Sequence, residues 1–211
     1  GVGRALRRGD PSLRGSGGGG SGGAGSSGGS QGGSGRRPRR DVGGRAASAG
    51  RAIAGAYAVR GGDAAALREL GLDLADFGGL RPVEQKQRLL DEFLGRPNHP
   101  DDAAVRRAAD DFLERILTAE VAPDPAAVVR EFAGALIFEM AVVPLTEGLQ
   151  ANRLTRRDAG RAEKILKEWL EARLPAADLG VRGGRIDLSA LSATTQTLTA
   201  TAVDMMCKAG A

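Results

Sequence analysis

The chain has 211 residues, of which 41% are hydrophobic and 27% charged, and its formal net charge is +4. One cysteine, Cys207, excludes an intramolecular disulfide framework and a cysteine-based zinc site, and it fits a reducing, cytoplasmic setting. One histidine, His99, excludes a multi-histidine metal site and disfavours a histidine-dependent catalytic triad. The few aromatic residues (one Trp, one Tyr, five Phe) argue against a stacking platform for single strands.

The net charge conceals a segregation along the chain. Residues 1–60 hold eleven arginines and two acids, a net charge of +9, whereas residues 61–211 hold 19 basic and 24 acidic side chains, a net charge of −5. This asymmetry predicts a basic arm attached to a mildly acidic body. The chain begins with Gly1 rather than Met and has no basic-apolar-small signal sequence, which predicts a fragment or a processed form.

Residues 1–43 are predicted to be a disordered basic arm rich in glycine and serine. Within residues 15–35 there are 13 Gly and 6 Ser, so this segment cannot bury apolar surface, and its span as a flexible coil is roughly 25 Å. A Walker phosphate loop is excluded because the tract has no lysine and no preceding strand. Four arginines follow the tract in five positions: Arg36, Arg37, Arg39 and Arg40.

Residues 44–211 are predicted to form a single all-α domain of six to seven helices. A small, alanine-rich helix over 44–60 ends at Gly61-Gly62, and Asp63 caps a short helix that reaches about residue 70. Residues 71–80 are expected to be irregular. Pro82 suits the first position of the next helix, whose predicted inner face is Val83, Gln87, Leu90 and Leu94, with Phe93 alongside.

The second half of the chain continues this pattern. A proline-bounded loop precedes a helix with Val105, Ala109, Phe112 and Ile116 at helical spacing. Asp124 is the predicted cap of a long helix, which is expected to be the most buried and to kink or end at Pro144. Thr155 caps a helix with Ala162, Ile165, Leu166, Trp169 and Leu170 inward. A threonine-rich last helix over 186–209 is expected to be capped by Ser189. No apolar run reaches 18 residues, so no membrane span is predicted.

Two titratable positions in the body invite a catalytic interpretation. His99 lies beside Asp101 and Asp102, which could form an acid–base pair or a weak metal site, but acids at a helix start ordinarily serve the helix dipole, and that interpretation is favoured. Glu139 interrupts the most apolar helix, where it could be catalytic, pair with an arginine of a neighbouring helix, or face solvent at the edge of the apolar band. Pairing or exposure is favoured over catalysis. Cys207 is expected to be a small apolar or exposed side chain.

The four arginines of the arm have three interpretations. They could neutralise phosphates of a nucleic acid, contact an acidic protein partner, or keep a solvated tail soluble. Arginine-rich tracts without aromatic residues are common, so residue chemistry alone does not separate the three.

Several local phrases resemble the B component of the Qat antiphage defence system. They are residues 43–51 (GGRAASAGR), 54–57 (AGAY), 67–74 (LRELGLDL) and 91–103 (DEFLGRPNHPDDA), preceded by the arginine-flanked Gly/Ser tract. The similar region spans residues 36–175. The Met-Gly-Thr-Ser-like start typical of that family is absent, so no role of its N-terminus is carried over to Gly1.

The resemblance implies a bacterial defence protein without a catalytic motif or a cofactor. Its implied partners are an ATPase, a QueC-like enzyme and a TatD-like nuclease. The leading hypothesis is therefore a non-enzymatic scaffold subunit that docks partner proteins through its helical body. The alternative is a nucleic-acid-binding accessory protein that uses the arm, and an enzyme built on Glu139 or the His99 loop is the least favoured class.

Overall fold

Seven α-helices and one short hairpin make up residues 41–97 and 100–209, the part of the chain that the computed structural model describes. The prediction of an all-α domain with six to seven helices is confirmed. The helices are α1 (Val42–Gly61), α2 (Ala64–Glu69), α3 (Pro82–Leu94), α4 (Pro100–Thr118), α5 (Pro125–Gln150), α6 (Arg156–Arg173) and α7 (Leu188–Ala209). Turns of 3₁₀ helix span Leu74–Phe77 and Leu174–Ala176, and strands β1 (Val181–Arg182) and β2 (Arg185–Ile186) pair antiparallel. Residues 1–40 of the arm predicted over 1–43 lie outside the described residues, whereas Val42 and Gly43 belong to α1 and are buried, so the helical body begins two residues earlier than predicted.

Most helix boundaries follow the capping chemistry that the sequence predicts. Asp63 accepts hydrogen bonds from the amides of Ala65 and Ala66, Asp124 accepts from Ala127, and Gly62 ends α1 in the left-handed conformation with φ of 64°. The start of α7 differs from the prediction. Asp187, not Ser189, is the cap, and its carboxylate accepts from the amides of Ser189 and Ala190 at 2.9 and 3.1 Å.

Helix α1 has a larger buried share than α5, the helix predicted to be the most buried: 11 of the 20 residues of α1 are buried, against 10 of the 26 residues of α5. It packs against α3, α4 and α7 as well as α2, and its small residues admit these neighbours closely. A Cβ on Gly50 would lie 2.7 Å from Leu191 of α7, and one on Gly55 would lie 2.8 Å from Leu89 of α3. The apolar periodicity of the sequence underestimates the burial of α1, because a helix that is buried on several sides has no single apolar stripe.

Two helices expose part of their predicted inner faces, and in α3 the exposed part includes Gln87. In α3 the buried side chains are Leu89 and Leu90, while Val83 is 56% exposed. In α6, Ile165 is 47% exposed although Leu166 and Leu170 are buried as predicted. Val83 and Ile165 both lie at the edge of an apolar stripe, where the position of the neighbouring helix, and not the periodicity, decides whether a side chain is buried.

Helix α5 continues through Pro144 to Gln150. The missing amide of Pro144 leaves one carbonyl of the preceding turn without its helical donor. The following residue, Leu145, is nevertheless buried, so the last turns of α5 still pack on the core. The sequence predicted that the helix would kink or end at Pro144, and the prediction that it ends there is wrong.

Two buried hydroxyl groups lie in the packed face of α7. Thr195 and Thr199 are 0% and 3% exposed, and their Oγ1 atoms find no hydrogen-bond partner among the described residues. Other threonines of this helix donate to the carbonyl one turn back, as Thr197 does to Ala193 at 2.9 Å. A buried hydroxyl without a partner destabilises the folded state by roughly 1–3 kcal/mol.

Replacing either buried threonine by valine is expected to stabilise the protein. Thr195→Val or Thr199→Val keeps the side-chain shape and the β-branch but removes the unpartnered oxygen, so the free energy of unfolding should rise by about 1 kcal/mol and the melting temperature by roughly 2–4 °C. The control is Thr197→Val, which removes an exposed, hydrogen-bonded hydroxyl and should leave the melting temperature nearly unchanged. Destabilisation by both buried variants would show that the hydroxyls have partners.

The C-terminal half of α1 holds the segment that joins α4 to α5. The Tyr57 hydroxyl donates to the Pro123 carbonyl at 2.9 Å, and the Arg60 guanidinium donates to the carbonyls of Ile116 and Glu120. Burial, followed by the nearby negative charge of Asp124, raises the pKa of Tyr57 to about 12. The fold therefore favours the neutral phenol.

The stability that Tyr57 contributes should be lost at alkaline pH. A folded-state pKa above the unfolded value of about 10 means that the contribution is complete below pH 10 and disappears as the pH rises toward 12. Tyr57 is the one tyrosine of the chain, so phenolate absorbance reports it directly. Denaturant unfolding at pH 8 and pH 11.5 should show a larger loss for the wild type than for Tyr57→Phe. Phenolate formation near pH 10 in the folded protein would contradict this expectation.

Candidate interaction surfaces

The arginines predicted to form a contact site are not among the residues that the structure describes. Arg36, Arg37, Arg39 and Arg40 lie outside the described residues, and so does His99. The neighbouring Asp102 lies in the first turn of α4, where its carboxylate accepts from Arg45 Nε of α1 at 2.9 Å. The position of Asp102 thus agrees with the structural interpretation, and its ion pair joins two helices.

Glu139 is exposed on the surface of α5. Of the three interpretations that the sequence left open, exposure at the edge of the apolar band is the one observed. Glu131, Ala135 and Glu139 follow each other at every fourth position and form one face of α5. Cys207 near the end of α7 is exposed as well, as one of its two predictions had it.

This face of α5 and the adjacent face of α4 enclose an open groove of about 420 Å³, here termed the α4–α5 groove. The floor consists of small or aromatic residues, and the rim is charged with both signs. The lining residues are Ala104, Arg107, Ala108, Asp111, Phe112 and Arg115 of α4, with Glu131, Ala135 and Glu139 of α5. On α4 they recur at intervals of three and four residues, so one helical face lines the groove.

One end of the groove is held in place by contacts among its own side chains. Arg115 Nη1 lies 2.7 Å from Glu131 Oε2, which joins α4 to α5, and the Arg115 guanidinium carbon lies 5.1 Å from the centre of the Phe112 ring. Phe112 in turn packs edge-to-face on the buried Phe132, with the ring centres 5.9 Å apart. At the other end, no described carboxylate forms an ion pair with Arg107, and no described cation pairs with Glu139.

A second charged surface lies where α5 turns into α6. Four exposed arginines fall within nine residues there, and we term Arg153, Arg156, Arg157 and Arg161 the α6 basic cluster. None of the four forms an ion pair with a carboxylate of the described residues.

The turn that carries the cluster has a defined geometry. Asn152 adopts a φ of 52°, the amide of Arg153 donates to the Gly148 carbonyl at 2.9 Å, and the amide of Asn152 donates to Leu149. These bonds form a Schellman motif with asparagine in the left-handed position. Leu154 packs on Gly148 so closely that a Cβ there would lie 2.6 Å from it. The cluster therefore projects from an ordered corner.

Several basic side chains elsewhere in the body pair with a carboxylate, among them Lys86 and Arg106. Lys86 bridges Asp110 and Glu114 at 2.8 Å each, and these bonds raise its pKa against the opposing effect of burial. The bond from Arg106 lowers the pKa of Asp91, with a further contribution from Gln87. Against a body with more acids than bases, the α6 basic cluster is a local excess of positive charge.

The sequence contained signals for both surfaces. Arginines at 153, 156, 157 and 161 are four in nine positions, a weaker signal in the sequence than the four in five positions at 36–40. The groove was harder to predict. Glu139 is the only unusual residue among those that line it, and the face of α4 that forms the other wall can be identified only once the two helices are packed.

Comparison with known proteins identifies no relative: no family model, curated protein or solved structure matches this chain. Within the described ranges, no helix combines the length and the apolar character that a membrane crossing requires. No three His, Cys, Asp or Glu side chains of the same ranges gather as potential metal ligands.

Proposed function

We propose that this chain is a non-enzymatic interaction subunit of a bacterial antiphage defence system and that its helical body docks a partner protein. The local phrases that resemble the Qat B component motivate the system and the partner set: an ATPase, a QueC-like enzyme and a TatD-like nuclease. The observation that supports docking is the α4–α5 groove. Its apolar centre and charged rim have the composition of a protein–protein contact.

The shape of the groove favours a helix of the partner as the occupant. Ala104, Ala108 and Ala135 are partly buried and short, so the axis of a third helix can approach the floor closely. Phe112 supplies an aromatic contact that its own neighbours hold in a fixed orientation.

The rim adds a preference for charge. Arg107, Asp111 and Glu139 carry a combined charge of −1 and lie outside the ion pairs of the described residues. A partner helix with an apolar face flanked by lysine or arginine would complement this rim. Such rim contacts set orientation and association rate more than affinity.

A charged side chain introduced on the floor of the groove is expected to weaken docking strongly. In Ala108→Arg a guanidinium would become buried and unpaired at the centre of the interface, so binding should weaken roughly tenfold or more. The measurement is co-purification of the tagged chain with the co-expressed ATPase, QueC-like enzyme and TatD-like nuclease, followed by titration of the partner that is retained.

The matched control is Ala172→Arg, the same change at an exposed position of α6. It should bind like the wild type, and both variants should melt at the wild-type temperature. Equal binding by Ala108→Arg and Ala172→Arg would remove the groove from the interface. Failure of the wild type to retain any of the three partners would contradict the scaffold function itself.

The charge segregation of the sequence favours a second candidate, nucleic-acid binding through the arm. Residues 1–60 carry a net charge of +9, and phosphate neutralisation by arginine gives binding that weakens steeply with salt. Replacing Arg36, Arg37, Arg39 and Arg40 by serine should weaken a salt-dependent mobility shift of labelled DNA. An unchanged shift would contradict the arm as the binding element.

A further inference from the structure

We propose that the α6 basic cluster binds the phosphate backbone of a nucleic acid, independently of the docking groove. Arg153, Arg156, Arg157 and Arg161 are all exposed, and none is neutralised by a carboxylate of the described residues. The cluster belongs to the folded body, so this inference does not depend on the arm.

The arrangement on α6 suits a linear array of phosphates. Arg157, Gly160, Arg161 and Lys164 lie at helical spacing on one exposed face, and Arg157 and Arg161 are separated by a rise of about 6 Å. Arg153 in the preceding turn extends the array beyond the helix. Arginine is suited to this role because its planar guanidinium can donate two parallel hydrogen bonds to a phosphate.

Gly160 leaves open space between the arginines. No atom lies within 4 Å of the position that its Cβ would occupy, and glycine in an exposed helix interior costs about 1 kcal/mol relative to alanine. Helix stability therefore does not account for this residue. A smooth surface between cationic side chains does allow the sugar–phosphate backbone to approach the helix.

The two arginines at the start of α6 are also unfavourable for the isolated fold. Carboxylates stabilise the first turn of a helix and cations destabilise it. The amide of Asp158 donates to Thr155 Oγ1 at 3.2 Å, which caps this turn, and the Thr155 hydroxyl donates to the Asp158 carboxylate at 2.6 Å, so Asp158 is engaged locally. Arg156 and Arg157 are thus placed where an anionic ligand, and not the fold, gains from their charge.

The composition of the surface favours nucleic acid over an acidic protein. Contacts between proteins have an apolar core, whereas the one large exposed apolar side chain in residues 151–173 is Ile165, one turn beyond Arg161. Interfaces with nucleic acid are more polar and carry more positive charge. Binding should be largely independent of sequence, because no element of the cluster is shaped to read base edges.

The experiment is a salt titration of binding with the full chain. Fluorescence anisotropy of labelled double-stranded DNA, single-stranded DNA and RNA would be followed between about 50 and 200 mM salt. The test variant replaces all four arginines of the α6 basic cluster by glutamine. A second variant replaces them by lysine, which keeps the charge but loses the paired hydrogen bonds.

The control variant removes the same charge from scattered exposed positions, by glutamine at Arg51, Arg130, Arg173 and Arg185. We expect the glutamine cluster variant to bind at least roughly tenfold more weakly at low salt and to lose about one unit of log–log salt slope per contacting arginine. The lysine variant should keep most of the slope, and the scattered control should resemble the wild type. Thermal melts establish that all variants are folded.

Three results would overturn the proposal. One is the absence of binding by the wild type to all three nucleic acids. Another is equal weakening by the cluster and scattered variants, which would indicate net charge alone. The third is loss of a co-purifying protein in the cluster variant while nucleic-acid affinity is unchanged, which would assign the surface to an acidic protein. Ala108→Arg should bind nucleic acid normally, so failure of the docking proposal and failure of this one are distinguishable.

Discussion

Close packing around the small residues of α1 is the constraint on which the body depends. Glycines at positions 43, 50 and 55 each occupy a place where a Cβ would come within 3 Å of a side chain of α7 or α3. Each glycine costs about 1 kcal/mol of helix stability, which the close approach of the neighbouring helices must offset. Since α4 and α5 are positioned in turn through α1, through Arg45–Asp102 and Tyr57–Pro123, the groove they line depends on this packing.

The parts of the fold that depend on local chemistry could be predicted from the sequence, whereas those that depend on packing between distant helices could not. Caps such as Asp63, Asp124 and Thr155 act within three residues, so the sequence alone placed the starts of α2, α5 and α6 correctly. The orientation of Val83 and Ile165 depends on which helix lies opposite, which periodicity does not specify. The same limit applies to the sites. Glu139 was noticed because it interrupts an apolar run, whereas the alanines facing it across the groove carry no chemical signal.

Charge in this body is organised at two levels. Several basic side chains form an ion pair that joins two helices, as Lys86 does between α3 and α4 and Arg115 between α4 and α5. Exposed pairs of this kind contribute at most about 1 kcal/mol each, so they fix geometry more than they stabilise the fold. The charges of the α6 basic cluster, and Arg107, Asp111 and Glu139 at the groove rim, lie outside these ion pairs of the described residues.

The two proposed sites would select different ligands because their charges differ. A nucleic acid that followed the surface of α5 from the α6 basic cluster to Glu139, a rise of about 17 Å from the end of α5, would bring phosphates against Glu139 and Glu131. Like charges at that range repel, so the groove rejects the ligand that the cluster attracts. The arginines of the α6 basic cluster would conversely repel the lysine or arginine that the groove rim favours. A partner helix and a nucleic acid could therefore occupy the same body without competing, because the acidic side chains lie along the middle of α5 and the α6 basic cluster lies beyond its end.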